Sequence, residues 1–224
     1  MTAVPSAAES TALARSIGEA VATVRAGRLV AYPTETLWGL GADARSAAAL
    51  ERLRRWKRRS DQHPIAILVE GVASLAPLGI DADGHARALA AAFWPGPLTL
   101  VLPCRAAFAP GVARADGAVG VRCSPHPVAA ELAAAVAAAA VGPLTATSLN
   151  RHGEPPARTR AEVERLCAAD PDAPLVVDAE GGDAGGQPPS TVIDLTAARP
   201  RVLRWGALDA AALARALGRE ELLA

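Results

Sequence analysis

Arg28-Leu29-Val30-Ala31-Tyr32-Pro33-Thr34-Glu35-Thr36-Leu37-Trp38-Gly39-Leu40-Gly41 is the stretch on which the fold of this chain turns. Residues 28–32 are rich in strand formers and predict a short strand, which Pro33 ends. Residues 33–41 read as a loop that presents two hydroxyls and a carboxylate, with Gly39 and Gly41 permitting close backbone approach. A ligand-facing turn and a plain Thr/Glu-capped turn account for these residues equally well. Two familiar nucleotide sites are excluded, because the chain has neither a GxGxxG fingerprint nor a GxxxxGK[ST] loop.

Upstream, Leu13, Ile17, Ala20, Val21 and Val24 form one apolar stripe and predict a helix over 12–26, stopped by Gly27. Downstream, a helix over 46–56 ends in Lys57-Arg58-Arg59 and leads to a strand over 65–69. A helix over 83–93, the rigid turn Trp94-Pro95-Gly96-Pro97 and strands over 98–102 and 118–122 follow. An alanine-rich helix over 127–141 precedes a strand over 144–150. Thr159 and Glu162 make a capping box for a helix over 159–168. Strands over 175–178, 191–195 and 202–205 and a helix over 208–217 complete the chain, and residues 181–189 read as a surface loop. Helices and strands alternate irregularly, which favours one α/β domain with a mixed, partly antiparallel sheet. Residues 10–206 are expected to form it, with 207–224 as a C-terminal helix packed on the same body.

With 224 residues, 51% of them hydrophobic, the chain has ample material for a core of Leu, Val and Ala. Trp38, Trp56, Trp94 and Trp205 are expected to be its few large pieces. Lys+Arg and Asp+Glu are both 23, and this balance argues against a stand-alone nucleic-acid binder. The three cysteines, Cys104, Cys123 and Cys167, lack CxxC or Cys/His spacing and read as free thiols of a reducing compartment. No apolar run approaches the roughly 20 residues that span a bilayer, so a soluble cytoplasmic protein is expected.

The candidate chemistry lies in polar clusters at the ends of elements. Lys57 and Arg59 offer fixed charge and a planar donor fork to a phosphate or carboxylate. Ordinary capping of a helix C-terminus is the competing reading, although one or two cations would suffice for that. Ser148 and Asn150 alternate along a strand, so both point to one face. Arg122 and Arg204 sit at strand ends, as edge residues or as anion anchors. Neutral overall charge with converging cations is the pattern of a small-anion site. The four histidines have no metal-ligand spacing, and no Ser/His/Asp arrangement suggests covalent catalysis.

Taken together, these blocks resemble a known family. Residues 32–42 resemble the opening signature of the YrdC/TsaC-like threonylcarbamoyl-AMP synthases. Lys57-Arg58-Arg59 is similar to the family's K-x-R element, Trp94 to Thr99 to its W-P-G-P-x-T block, and Val121 to Pro127 to V-R-x-x-x-H-P. Ser148-Leu149-Asn150 is similar to S-x-N, Ser190 to Asp194 to S-T-V-x-D, and Leu203 to Gly206 to L-R-x-G. The order is the family's own, from about residue 17 to 206. The chain departs from common family residues at His63, Leu68 and Leu149.

The resemblance implies a single YrdC-like domain, a twisted mixed parallel/antiparallel sheet flanked by helices, with a concave basic face. It implies that L-threonine, bicarbonate and ATP give threonylcarbamoyl-AMP and pyrophosphate, for the threonylcarbamoyl modification of tRNA adenosine next to the anticodon. On that reading Lys57, Arg59, Ser148, Asn150 and Arg204 hold ATP, with Lys57 and Arg59 also catalytic. Thr34, Thr36, Arg122 and Ser190 orient threonine. Mg2+ travels with the nucleotide, no protein metal site is expected, and a separate partner enzyme makes the transfer to tRNA. Direct tRNA binding is expected to be weak or absent. Two alternatives remain open: a carbamoyltransferase domain that forms carbamoyl-adenylate, and an RNA-binding module.

Overall fold

The computed structural model describes residues 7–58, 63–168, 170–177 and 184–218. At its centre is a hairpin of β1 (Val30–Pro33) and β2 (Trp38–Gly41), antiparallel, with Tyr32 opposite Gly39. The expected loop over 33–41 is therefore largely strand, and only residues 34–37 turn. Gly39 and Gly41 suggest a turn in sequence, but their task here is to admit a neighbour. A Cβ on Gly39 would stand 2.7 Å from the Tyr32 ring. The Tyr32 hydroxyl donates to the Thr145 carbonyl at 2.9 Å, and burial raises its pKa, which keeps it a donor.

Two sheets share the chain. In the first, the order is β6 (Thr147–Ser148), β2, β1 and β7 (Leu175–Val176), with β7 parallel to β1. The second runs β3 (Ile67–Leu68), β5 (Val119–Arg122), β4 (Leu98–Leu102), β8 (Thr191–Asp194) and β9 (Arg201–Arg204). There β3–β5 and β4–β8 are parallel, whereas β5–β4 and β8–β9 are antiparallel. The strip 144–146 joins the sheets. Leu68 N donates to Leu144 O at 2.8 Å and Ala146 N to Ala66 O at 2.6 Å. On its other edge Thr145 N donates to Ala42 O at 2.9 Å. Mixed pairing follows as expected, but the strand read over 144–150 divides between this strip and β6.

Helices cover both sides unequally. On one side, α1 (Ala7–Arg25) and α4 (Pro127–Ala138) pack on the first sheet. Ile17, Ala20 and Val24 meet Ala129, Leu132, Ala133 and Val136 over Val30 and Tyr32. Alanine at the contact lets the two helices approach closely. α4 ends at Ala138 rather than near 141, because Ala140 takes φ 52° and turns the chain.

On the other side lie α2 (Ala47–Lys57), α3 (Gly84–Phe93), α5 (Arg160–Cys167) and α6 (Ala210–Leu217). Leu50, Leu53, Trp56, Leu89, Val163 and Leu213 share one core with Leu98, Leu100, Val119, Val121 and Ile193. Ser46, Asp83, Thr159 and Asp209 cap the N-termini of these helices through side-chain oxygens, and the Thr159–Glu162 capping box is present.

The alternation of the strands then places Thr99, Val101, Gly120, Arg122 and Val192 on the opposite face of the second sheet, where they line a cavity. Trp205 does not join the core. It is 52% exposed, because it lies just beyond the edge strand β9.

Candidate active site

A cavity of about 560 Å3 opens on this face, a size typical of small-molecule sites. It has two walls. The first is formed by the last turn of α2 and the end of β6. Lys57 is 4% exposed. Its Nζ donates to Ser148 O (2.6 Å), Asn150 O (3.2 Å) and Asn150 Oδ1 (2.9 Å). Ser148 Oγ donates to the same Asn150 Oδ1 at 2.7 Å, so both side chains do share one face. Asn150 Nδ2 is held by Arg151 O and Glu154 O at 2.9 and 2.8 Å. His152 N in turn donates to Lys57 O at 2.7 Å. Arg151 stacks over the Trp56 ring, 4.1 Å from its centroid, and pairs with Asp170. The expected helix-end cation is thus locked to a loop more than ninety residues away.

The second wall is formed by the 34–37 turn, the ends of β5 and β9, and the start of β8. Thr34 Oγ1 donates to Leu37 O at 2.7 Å and accepts from the backbone of Thr36 and Leu37, both at 3.2 Å. Arg122 Nη2 donates to Glu35 Oε1 (2.7 Å) and to Thr36 Oγ1 (2.6 Å). Ser124 Oγ donates to Glu35 Oε2 at 2.5 Å. Ser190 Oγ lies 2.9 Å from Thr99 Oγ1. Arg204 Nη2 donates to Ser190 O at 2.9 Å and to Ser190 Oγ at 3.1 Å. Burial of the Arg204 guanidinium, and then repulsion from Arg122, lowers its pKa below the usual arginine value. Much of the Arg204 side chain is nonetheless exposed, so it stays a cation at neutral pH.

Of the expected site residues, Thr34, Lys57, Arg122, Ser148, Asn150, Ser190 and Arg204 all line this one cavity. Thr36 is fully buried and stands behind Arg122 rather than at the surface of the cavity. Arg59 lies outside the described residues. Glu35, Thr99 and Arg114 were not among the residues expected at the site. Thr99 sits inside a recognisable block, and Glu35 lies between two expected threonines, so both had a signal in the sequence. Arg114 had none; it lines the cavity but is paired with Asp116 and Asp194. Among the described residues, no group of three His, Cys, Asp or Glu side chains could hold a metal ion.

A mixed α/β domain with hydroxyls, an amide and the cations Lys57, Arg114, Arg122 and Arg204 around one cleft belongs to the class that binds small anionic substrates. Comparison with known proteins narrows the class. Residues 22–206 match the Sua5/YciO/YrdC family, described as telomere recombination. Threonylcarbamoyl-AMP synthase of Xanthomonas oryzae pv. oryzae is 43% identical over 169 residues, which span 75% of this chain and 87% of that protein. The synthase of Chromohalobacter salexigens is 38% identical over 179 residues, 80% of this chain and 92% of the relative. P. abyssi Sua5 complexed with L-threonine superposes with a TM-score of 0.81 at 32% identity. That match covers 91% of this chain and 57% of the Sua5 chain. The chain belongs to the Sua5/YciO/YrdC family.

Proposed function

We propose that this protein is a threonylcarbamoyl-AMP synthase, an enzyme of the nucleotidyltransferase type that acts in tRNA modification. One observation carries the reading. Lys57 Nζ and Asn150 Oδ1 are 2.9 Å apart in the cavity that also holds Arg122, Ser190 and Arg204. The names of the relatives and the threonine complex of Sua5 support the same conclusion.

The chemistry needs position and charge neutralisation more than a nucleophilic side chain. The amine of L-threonine takes up bicarbonate, with loss of water, and becomes a carbamate. A carbamate oxygen then attacks the α-phosphorus of ATP, and the bond to pyrophosphate breaks. Lys57, Arg59, Ser148, Asn150 and Arg204 hold the nucleotide, and Lys57 and Arg59 stabilise the charge that develops on the departing phosphates. Arg122, Thr34 and Ser190 orient threonine, with Thr36 acting through Arg122. Any Mg2+ carried by the nucleotide would add positive charge at the triphosphate that Lys57, Arg59 and Arg204 hold. The described part of the chain has no carboxylate cluster for it.

Residues 10–206 are the catalytic domain, and α6 packs on it against α3. The product passes to a separate enzyme that transfers the threonylcarbamoyl group to tRNA. With a net charge of +0 the protein itself grips tRNA weakly or not at all, and it works in the cytoplasm. No helix among the described residues is long and apolar enough to cross a membrane.

The test is incubation with ATP, bicarbonate and each standard amino acid in turn, following pyrophosphate. Turnover selective for threonine is expected. Equal turnover with all amino acids, or none, overturns the proposal.

A further inference from the structure

We propose that Glu35 is a positioning residue for the amino-acid substrate, acting through Arg122. The inference rests on the reading of Arg122 as the partner of the threonine carboxylate. A guanidinium has five N–H donors in a fixed plane. Both donors of Arg122 Nη2 are spent inside the protein, on Glu35 Oε1 at 2.7 Å and Thr36 Oγ1 at 2.6 Å. Its Nε is buried without a hydrogen-bond partner. No hydrogen bond within the described protein occupies Nη1, and Arg122 lines the cavity.

Glu35 is fixed in its turn. Its side chain is 9% exposed, and its second oxygen accepts from Ser124 Oγ, which also accepts from His126 N at 3.2 Å. The carboxylate therefore bridges the 34–37 turn and the segment just after β5, and it sets the guanidinium plane from behind. It also offsets part of the charge of the Arg122–Arg204 pair, so the cleft keeps an excess sufficient for one incoming carboxylate. A substrate carboxylate then meets a preset donor, and the ordering entropy of a long side chain is not spent on binding.

The experiment compares Glu35→Gln, Glu35→Asp and Ser124→Ala with the unaltered protein. Glu35→Gln keeps shape and removes charge, whereas Glu35→Asp keeps charge and shortens the reach. Both should raise the KM for threonine by roughly tenfold or more while the KM for ATP moves less than about twofold, since misplacement of a binding group acts on its own ligand. Ser124→Ala removes one neutral hydrogen bond and should raise the threonine KM only about threefold. Unchanged threonine KM in both Glu35 variants overturns the inference, and so does an equal rise for ATP and threonine. If the Glu35 variants fail to fold, judged by thermal melting, Ser124→Ala carries the test in the same way.

A second readout needs no turnover. The Arg122 Nε–H resonance in 15N-labelled protein should be sharp in the unaltered protein and broaden in Glu35→Gln. If the protein fails to use threonine but this resonance broadens, the functional reading falls while Glu35 still positions Arg122. If the resonance stays sharp, Glu35 does not position it.

Discussion

The two walls of the cleft solve one problem, holding a cation still, in opposite ways. On the α2 side Lys57 donates to two backbone carbonyls and one amide oxygen of the 148–150 segment. On the β5 side Arg122 is held by a buried carboxylate and a hydroxyl. The first arrangement fixes the ammonium beside Ser148 and Asn150, near the space assigned to the phosphates. In the second, much of the charge is spent internally, which suits a ligand with a single carboxylate. Main-chain acceptors depend on backbone geometry, and side-chain acceptors depend on protonation, so the two walls should fail differently.

The largest expected effect breaks the α2 wall. Lys57→Ala should lower threonine-dependent pyrophosphate release by about 10²–10³, the usual cost of losing a charge-stabilising donor. It should also lower stability by about 1–3 kcal/mol in denaturant titration, because buried oxygens lose their partner. A normal rate would show that the ammonium serves the loop and not the nucleotide. Next comes Gly39→Ala, which leaves every site side chain in place. Gly39 pairs with both Tyr32 and Ser148, and a methyl there meets the Tyr32 ring, so a loss of about 1–3 kcal/mol is expected in the same titration. Ser148→Ala is milder. One neutral hydrogen bond to Asn150 disappears, so the ATP KM should rise about two- to tenfold with threonine KM unchanged.

The smallest effect probes the other wall through pH. Asp194, on β8 below Ser190, is almost fully buried. Burial alone would raise its pKa, but hydrogen bonds from Thr196 and Arg114 outweigh it and hold the carboxyl below its ordinary value. A depressed folded-state pKa means that its stabilisation is complete above the unfolded value, about 3.9, and is lost as pH falls through the folded one. Asp194→Asn should therefore flatten the acid limb of a stability–pH curve below about pH 4. An unaltered limb would assign acid lability to other carboxylates.

Local signals in the sequence carried much of this architecture. The Thr159–Glu162 capping box set the start of α5, and period two placed Ser148 beside Asn150 on one face. Polar blocks at element ends brought seven of the expected residues to one cavity. The misreadings have a common cause in distant contacts. Gly39 and Gly41 read as turn residues until the Tyr32 ring lies across them. Trp205 reads as core because an indole is large, yet its place beyond an edge strand leaves it in water. The pairing of Arg122 with Glu35, 87 residues away, has no local signal for the same reason.

The strip 144–146 that unites the sheets has a consequence for the whole molecule. Ser148 lies two residues beyond it, so the cavity-lining groups Ser148 and Asn150 are continuous with the seam between the two halves. Any motion that pried the halves apart would first unzip this seam and scatter the cleft. Integrity of the body and readiness of the catalytic face are thus one cooperative property, sensed at a single line of the chain.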